Sequence, residues 1–301
     1  MENNTNNKRT SIPDAVKLAL REEVGFGCPV DGCGSPYLEY HHFDPPVNVR
    51  AHNDPLGMIA LCPTHHGKAD GGNYTNEQLH ALKKNKVNSE KIKGDLDWLR
   101  NKLLAVVGGN YYYETPRIII IDNHDVVSLN RDKDGYLRLT VNMLSILPEE
   151  RLVIESHSWE NIGTPIDLRC PPQGKELEVK YANGDYLNLR FIVLSTPQEA
   201  EKRYKSQILN HLGEHFPLTA VEVNMNVAGT NIEFSPSGTR FWGNQFIGNL
   251  SMMCGRGLCI ENTGIKWMQN EIRKTGTEGG PGIEKLNYGP KIKIRPIIRV
   301  K

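Results

Sequence analysis

A chain of 301 residues has room for one large domain or two ordinary ones, and 38% hydrophobic with 24% charged residues is the composition of a folded chain, which excludes wholesale disorder. Its 36 Lys and Arg stand against 35 Asp and Glu, a formal net charge of +1, so no global positive field draws it to nucleic acid or an anionic surface; any such partner must meet a local patch. The longest aliphatic run, Ile118 to Ile121, is far too short for a membrane span and no signal-peptide core precedes it, so a cytoplasmic chain with no membrane partner is expected.

After an Asn-rich start, Ser11 to Val24 carries Pro13 at an early helical position with Ala15, Val16, Leu18 and Leu20, which predicts a short helix. Cys28, Cys33 and Cys62 follow in one window, Cys28 to His66, together with His41, His42, His52, His65 and His66. In a reducing compartment such a concentration reads as metal ligation and not as a disulfide framework. The turn Asp70-Gly-Gly-Asn73 precedes Thr75, an N-cap with Gln78 three residues on, and a helix is predicted through about Lys84. Ile92, Leu96, Leu99, Leu103 and Val106 recur at spacings of three and four, so another helix is predicted from about Ser89 to Val107, stopped by Gly108-Gly109.

From Asn110 the texture changes to short apolar or alternating runs between turn residues. Strands are predicted at Arg117 to Asp122, Val126 to Asn130, Tyr136 to Val141 after an Asp132 to Gly135 hairpin turn, and Arg151 to Glu155. More follow at Glu176 to Tyr181, Tyr186 to Leu194 after Asn183-Gly184, and Leu218 to Asn226, with one helix at about Pro197 to Leu212. Lys291 to Arg295 reads as a basic strand. The expected fold class is α+β: residues 1–86 a metal-holding domain, 87–109 a helical spacer, and 110–301 a mostly β domain, sandwich or open barrel, with a partial β-solenoid over Thr230 to Ile260 as the alternative.

The soft ligands separate into two sets. Cys28-x4-Cys33 and Cys62-x2-His65 form two knuckle-like pairs, with Pro29, Asp31 and Gly32 turning the first, and three thiolates with one imidazole suit tetrahedral Zn²⁺. The second set is His41-His42 with His66 and Asp70; if Pro63 to Ala69 opens a helix, His66 and Asp70 share one face and can hold one cation. Arg50, His52 and Lys68 lie nearby in sequence and either contact phosphate or simply face water. Lys83-Lys84-Asn-Lys86 and Lys291 to Lys301 either line a nucleic-acid path or serve solubility and edge protection. Cys254-x4-Cys259 copies the first knuckle's spacing without neighbouring partners and reads as buried thiols; Tyr111 to Tyr113, Phe241 and Trp242 read as core before base-stacking groups.

In order and spacing, Cys28-x4-Cys33, Glu39-Tyr-His-His-Phe43, Met58 to His66 and Asp70 resemble the zinc-stapled variety of the HNH (ββα-metal) endonucleases, over residues of about 13 to 85. The resemblance implies His41, His66 and Asp70 as ligands of a catalytic cation, His42 as general base, and Cys28, Cys33, Cys62 and His65 around a structural Zn²⁺. Two positions depart from the motif. Gly57 stands where the family has its central Asn, which helps fix the loop behind the base, so the orientation of His42 must come from a backbone carbonyl or another side chain, with His52 and Asn53 the candidates. Asp70 replaces a His, which hardens the cation site toward Mg²⁺ or Mn²⁺. The activity implied is one-metal hydrolysis of DNA to 5′-phosphate and 3′-hydroxyl ends, as in restriction, mobile-element or phage-defence nucleases. Residues 110–301 would then choose where or when to cut; a homodimer, or a small-molecule or modified-base ligand of that domain, is compatible with this. The rival readings are a non-catalytic, zinc-stabilised DNA- or protein-binding module, and a C-terminal domain that senses a ligand or oligomerises.

Overall fold

The computed structural model describes residues 11–147, 151–261, 263 and 291–293. α1 (Asp14–Glu23) follows Pro13 and buries Leu20 and Arg21. β1 (Glu39–His42) and β2 (Met58–Leu61) pair antiparallel with His41 opposite Ile59. Pro63 then opens α2 (Pro63–Asp70), where a missing N–H has no cost. α3 (Asn76–Leu82) starts on a capping box: Thr75 Oγ1 accepts from the Gln78 N–H, and the Gln78 side chain accepts from the Thr75 N–H. Leu20, Val24, Phe43, Met58 to Leu61 and Leu79 bury a core of their own between these pieces.

No spacer helix follows. Ser89–Lys91 is a single 3-10 turn, and irregular chain then joins two strands, β3 (Lys93–Asp95) and β4 (Leu103–Val107). The apolar spacing misleads because Leu103 to Val107 is buried on both faces, and a short continuous apolar run is what a central strand looks like. Gly108 and Gly109, at φ 53° and 69°, turn the chain into β5 (Asn110–Tyr113).

The remaining strands are β6 (Arg117–Ile121), β7 (His124–Arg131), β8 (Leu137–Asn142), β9 (Val153–Glu155), β10 (Ser158–Glu160), β11 (Pro165–Arg169), β12 (Glu176–Tyr181) and β13 (Tyr186–Leu194). After α4 (Pro197–Tyr204) come β14 (Leu218–Val227), β15 (Ile232–Ser235), β16 (Gly238–Phe241), β17 (Asn244–Phe246), β18 (Leu250–Met252), β19 (Arg256–Glu261) and β20 (Lys291–Lys293). The helix expected to reach Leu212 stops at Lys205, which is left-handed at φ 52°, and continues as a 3-10 segment, Gln207–His215.

One sheet has eight strands in the order β20-β19-β6-β7-β8-β9-β10-β3; the other has ten, with β11 to β17 in meander order and β4, β5 and β18 joined through β14. A single apolar cluster takes Ile119, Val127, Leu139 and Ile154 from the first sheet and Val179, Leu189, Val223 and Phe234 from the second. The described residues are thus mixed α and β, mostly sheet, and no sheet closes into a barrel. Thr230 to Ile260 builds no solenoid rungs: β15, β16 and β17 form an antiparallel meander, and β18 and β19 pair with β5 and β6 in different sheets. Tyr111 to Tyr113 and Phe241 are buried, whereas Trp242 is exposed; Cys254 and Cys259 are half-buried and not buried as expected, and are in no metal-capable group among the described residues. No described helix is long and apolar enough to cross a membrane. Of the basic C-terminal run, residues 294–301 lie outside the described ones.

The N-terminal unit is fastened to the β region by a buried charge pair. Arg21 donates to Asp167 on β11 through Nε at 3.0 Å and Nη2 at 2.7 Å, and Arg21 Nη1 donates to Tyr40 Oη on β1 at 2.7 Å. Tyr37 adds a backbone bridge to Cys170.

The β9–β10 hairpin turns on Ser156 and His157, both left-handed (φ 51° and 74°). His157 is buried and its Nδ1 accepts from the Leu139 N–H at 2.6 Å. Burial first, then the Arg138 charge, lower its pKa to about 4. The unfolded chain takes up this proton below about 6.5 and the folded one only below about 4, so stability falls as pH falls through that window, by about 3 kcal/mol in all. His157→Asn keeps the acceptor, suits a positive φ and does not titrate; urea unfolding at pH 7 and pH 5 is expected to show a smaller pH penalty for the variant than for the wild type.

Candidate metal centres

The first centre joins a turn to a helix start. Cys28 and Cys33 flank a tight loop closed by the Cys33 N–H on the Val30 carbonyl, with Gly32 at φ 73°, where a side chain would be strained. Cys62 caps α2 and His65 stands in its first turn. Cys33 Sγ and Cys62 Sγ are 3.8 Å apart, and His65 Nδ1 is 3.4 Å from Cys28 Sγ and 3.2 Å from Cys62 Sγ. Ligands about 2.3 Å from one tetrahedral ion stand about 3.8 Å from each other, so these four already have metal-binding spacing. Burial pushes the Cys28 thiol up to about 12, an effect that a bound cation would reverse. Burial, and then the Lys68 charge, lower the His65 pKa and favour the neutral, ligating ring. The cluster could bind a metal ion and is compatible with structural zinc.

The second centre lies between β1 and α2. His41, His66 and Asp70 bring ligand atoms within 4.8 Å of one another, a group that could also hold an ion. Asp70 Oδ1 is 3.1 Å from His41 Nδ1, and its Oδ2 is 3.2 Å from His66 Nδ1. His66 and Asp70 meet because they are four apart on a helix. Burial, followed by the neighbouring His66 charge, holds His41 below the ordinary imidazole range, while Asp70 pulls the other way. Glu39, two residues before His41 and hence on the same side of the strand, puts Oε2 3.7 Å from His66 Nδ1. The ligand reading from sequence missed it, although the period-two alternation of a strand points to it.

On the next residue of β1, His42 places its Nε2 3.0 Å from the His52 carbonyl oxygen. A carbonyl only accepts, so Nε2 carries the proton and the lone pair of the neutral ring is on Nδ1. His52 is itself locked: Nδ1 accepts from the Asp54 N–H at 3.2 Å and Nε2 donates to the Pro45 carbonyl at 2.9 Å. The two rings meet edge to face, 5.1 Å between centroids. Of the two candidates for holding His42, the backbone of His52 does so; Asn53 Oδ1 is buried without a hydrogen bond.

Gly57 belongs to the same loop. Its carbonyl accepts from the N–H groups of Phe43 (2.9 Å) and Asp44 (3.2 Å), and a Cβ on it would overlap the Asp44 carbonyl. An Asn therefore has no room there. Arg50 is exposed on this loop. Lys68 is exposed on α2, two residues from both His66 and Asp70 and three from His65, so it faces the sulfur cluster and not the His41 group. Lys83 is no surface charge: its Nζ is buried and donates to Glu23 Oε2 at 2.6 Å and to the Pro55 and Met58 carbonyls at 2.8 and 2.6 Å. It ties α3 to α1 and to the loop leading into β2. No family model, curated protein or solved structure matches the chain.

Proposed function

We propose that this chain is a metal-dependent endonuclease of the HNH type that hydrolyses DNA phosphodiester bonds. The observation that carries the reading is the convergence of His41, His66 and Asp70 on one point, at 3.1 and 3.2 Å, with a second histidine of fixed tautomer on the next residue of the same strand. Two imidazoles and a carboxylate suit a divalent cation of the Mg²⁺ or Mn²⁺ kind, and the sulfur cluster suits Zn²⁺. The divalent cation, when bound, offsets charge on the phosphoryl oxygens and on the leaving O3′.

The protein's own groups do the rest. His42, held through Nε2–H on the His52 carbonyl, takes the proton of the attacking water at Nδ1. As the water oxygen bonds to phosphorus the P–O3′ bond breaks, and the departing oxygen takes a proton from solvent water to give a 3′-hydroxyl and a 5′-phosphate, while His42 returns its proton to solvent. Glu39 Oε2, 3.7 Å from the same His66 Nδ1 that faces Asp70, adds a second carboxylate beside the cation position. Gly57 does not argue for a decayed site, because the loop that it permits supplies the carbonyl that a family Asn would otherwise help to place.

Incubation of the full chain with supercoiled plasmid and Mg²⁺ or Mn²⁺ tests the reading. Cutting that needs the divalent ion and falls by about 10² to 10⁴ in His42→Ala is the expected result. No cutting by wild type under any divalent ion favours a DNA- or protein-docking module instead; equal cutting by both proteins rejects His42 as base.

A further inference from the structure

The ten-stranded sheet turns a polar face to solvent, and its side chains stand in register. Glu176, Arg190 and Glu222 form one row across β12, β13 and β14; Glu178, Asn188 and Asn224 form the next; Lys180, Tyr186 and Asn226 form a third. With α4 and the turn at residues 234–237 they line a groove of about 940 Å³, a volume typical of small-ligand sites.

A solvated sheet face ordinarily carries paired charges and no ligand. The charges here are indeed paired. Glu176 accepts from Arg169 at 2.6 Å and from Arg190 at 3.1 Å, and Glu222 accepts from Arg203 at 2.9 Å, so the floor selects neither sign. What these pairs leave over points to a ligand. Asn224, in the middle row, makes no side-chain hydrogen bond to any described residue. Its cross-strand neighbour Asn188 donates to Glu176 and Glu178 and keeps its acceptor oxygen. The Tyr204 ring lies 5.6 Å from the Arg203 guanidinium, with its buried hydroxyl beside Glu222. Lys205, at the end of α4, is a cation with no ion pair to a described residue.

A side-chain amide presents a donor and an acceptor side by side, the complement of the N6–H and N7 of adenine. Tyr186 and Tyr204 line the same groove and offer flat apolar surface to a base. An unpaired lysine supplies the point charge that a phosphate needs. We propose that this groove binds an adenine nucleotide, with the base on Asn224 and the phosphate on Lys205. The inference stands on the sheet and α4 and is independent of the nuclease reading, since its readout is binding and not cleavage.

Calorimetric titration of the full chain with AMP tests it. The expected result is saturable one-to-one binding, weakened roughly tenfold or more by Asn224→Leu, as the loss of one bidentate amide contact requires. Lys205→Ala is expected to weaken AMP while leaving adenosine unchanged. Both positions lie outside the apolar clusters, and unchanged thermal midpoints would show that the variants fold. Absence of saturable AMP binding, full affinity in folded Asn224→Leu, or tighter binding of a neutral saccharide than of AMP would overturn the assignment.

Discussion

Stripping the metal from Cys28, Cys33, Cys62 and His65 is expected to unfold the N-terminal unit and leave the two large sheets standing. A structural Zn²⁺ contributes about 10 to 16 kcal/mol of apparent binding free energy in small zinc-folded peptides, as much as a whole domain's stability of about 5 to 15 kcal/mol. The unit around it is small: α1, the β1–β2 hairpin, α2 and α3 share one short apolar cluster in which Cys28 and Cys62 themselves are buried. The sheets have a separate core. Loss of zinc, or Cys62→Ser, should therefore make the chain up to about residue 85 protease-sensitive while the urea transition of the sheets persists. Elemental analysis should find one zinc per chain beforehand. An N-terminal unit that resists protease equally with and without a zinc chelator would sink the structural-zinc assignment.

The features legible in the sequence are those made by neighbours along the chain. The Thr75–Gln78 capping box, the Asp132 to Gly135 and Asn183-Gly184 turns, and the strands Glu176–Tyr181 and Tyr186–Leu194 depend on local residue chemistry, and they are where the periodicity puts them. Both ligand groups were legible for the same reason, since a turn and an i, i+4 pair fix most of their geometry. The spacer was not. Whether Leu103 to Val107 becomes helix or strand is decided by β14, 116 residues on at Thr219, with which it pairs in parallel. Nor does any pattern announce Arg21 on Asp167, 146 residues away, or a backbone carbonyl as the partner of His42. Long-range pairing and main-chain groups leave no trace in side-chain spacing.

Gly57→Asn shows how far the motif alone misleads. It restores the residue that the family pattern calls for, yet it is expected to impair cutting severely and to cost about 3 kcal/mol, the upper end of the range for overpacking. The new Cβ would overlap the Asp44 carbonyl, and backbone cannot move aside as a long side chain can. Displacing Asp44 breaks the two bonds from Phe43 and Asp44 to the Gly57 carbonyl and shifts the loop that runs through Pro45 to His52. The His52 ring then loses the Pro45 carbonyl, and the His42 ring loses the His52 carbonyl that fixes its tautomer. Cleavage should fall by about 10² to 10⁴, the value of a general base, and adding His42→Ala to the same chain should lower it little further, because both changes remove one function. Gly57→Ala carries the same Cβ without the amide and should match Gly57→Asn in urea and on plasmid. If Gly57→Asn instead cuts like the wild type while Gly57→Ala does not, the amide has taken over the holding of His42, and the His52 carbonyl is dispensable.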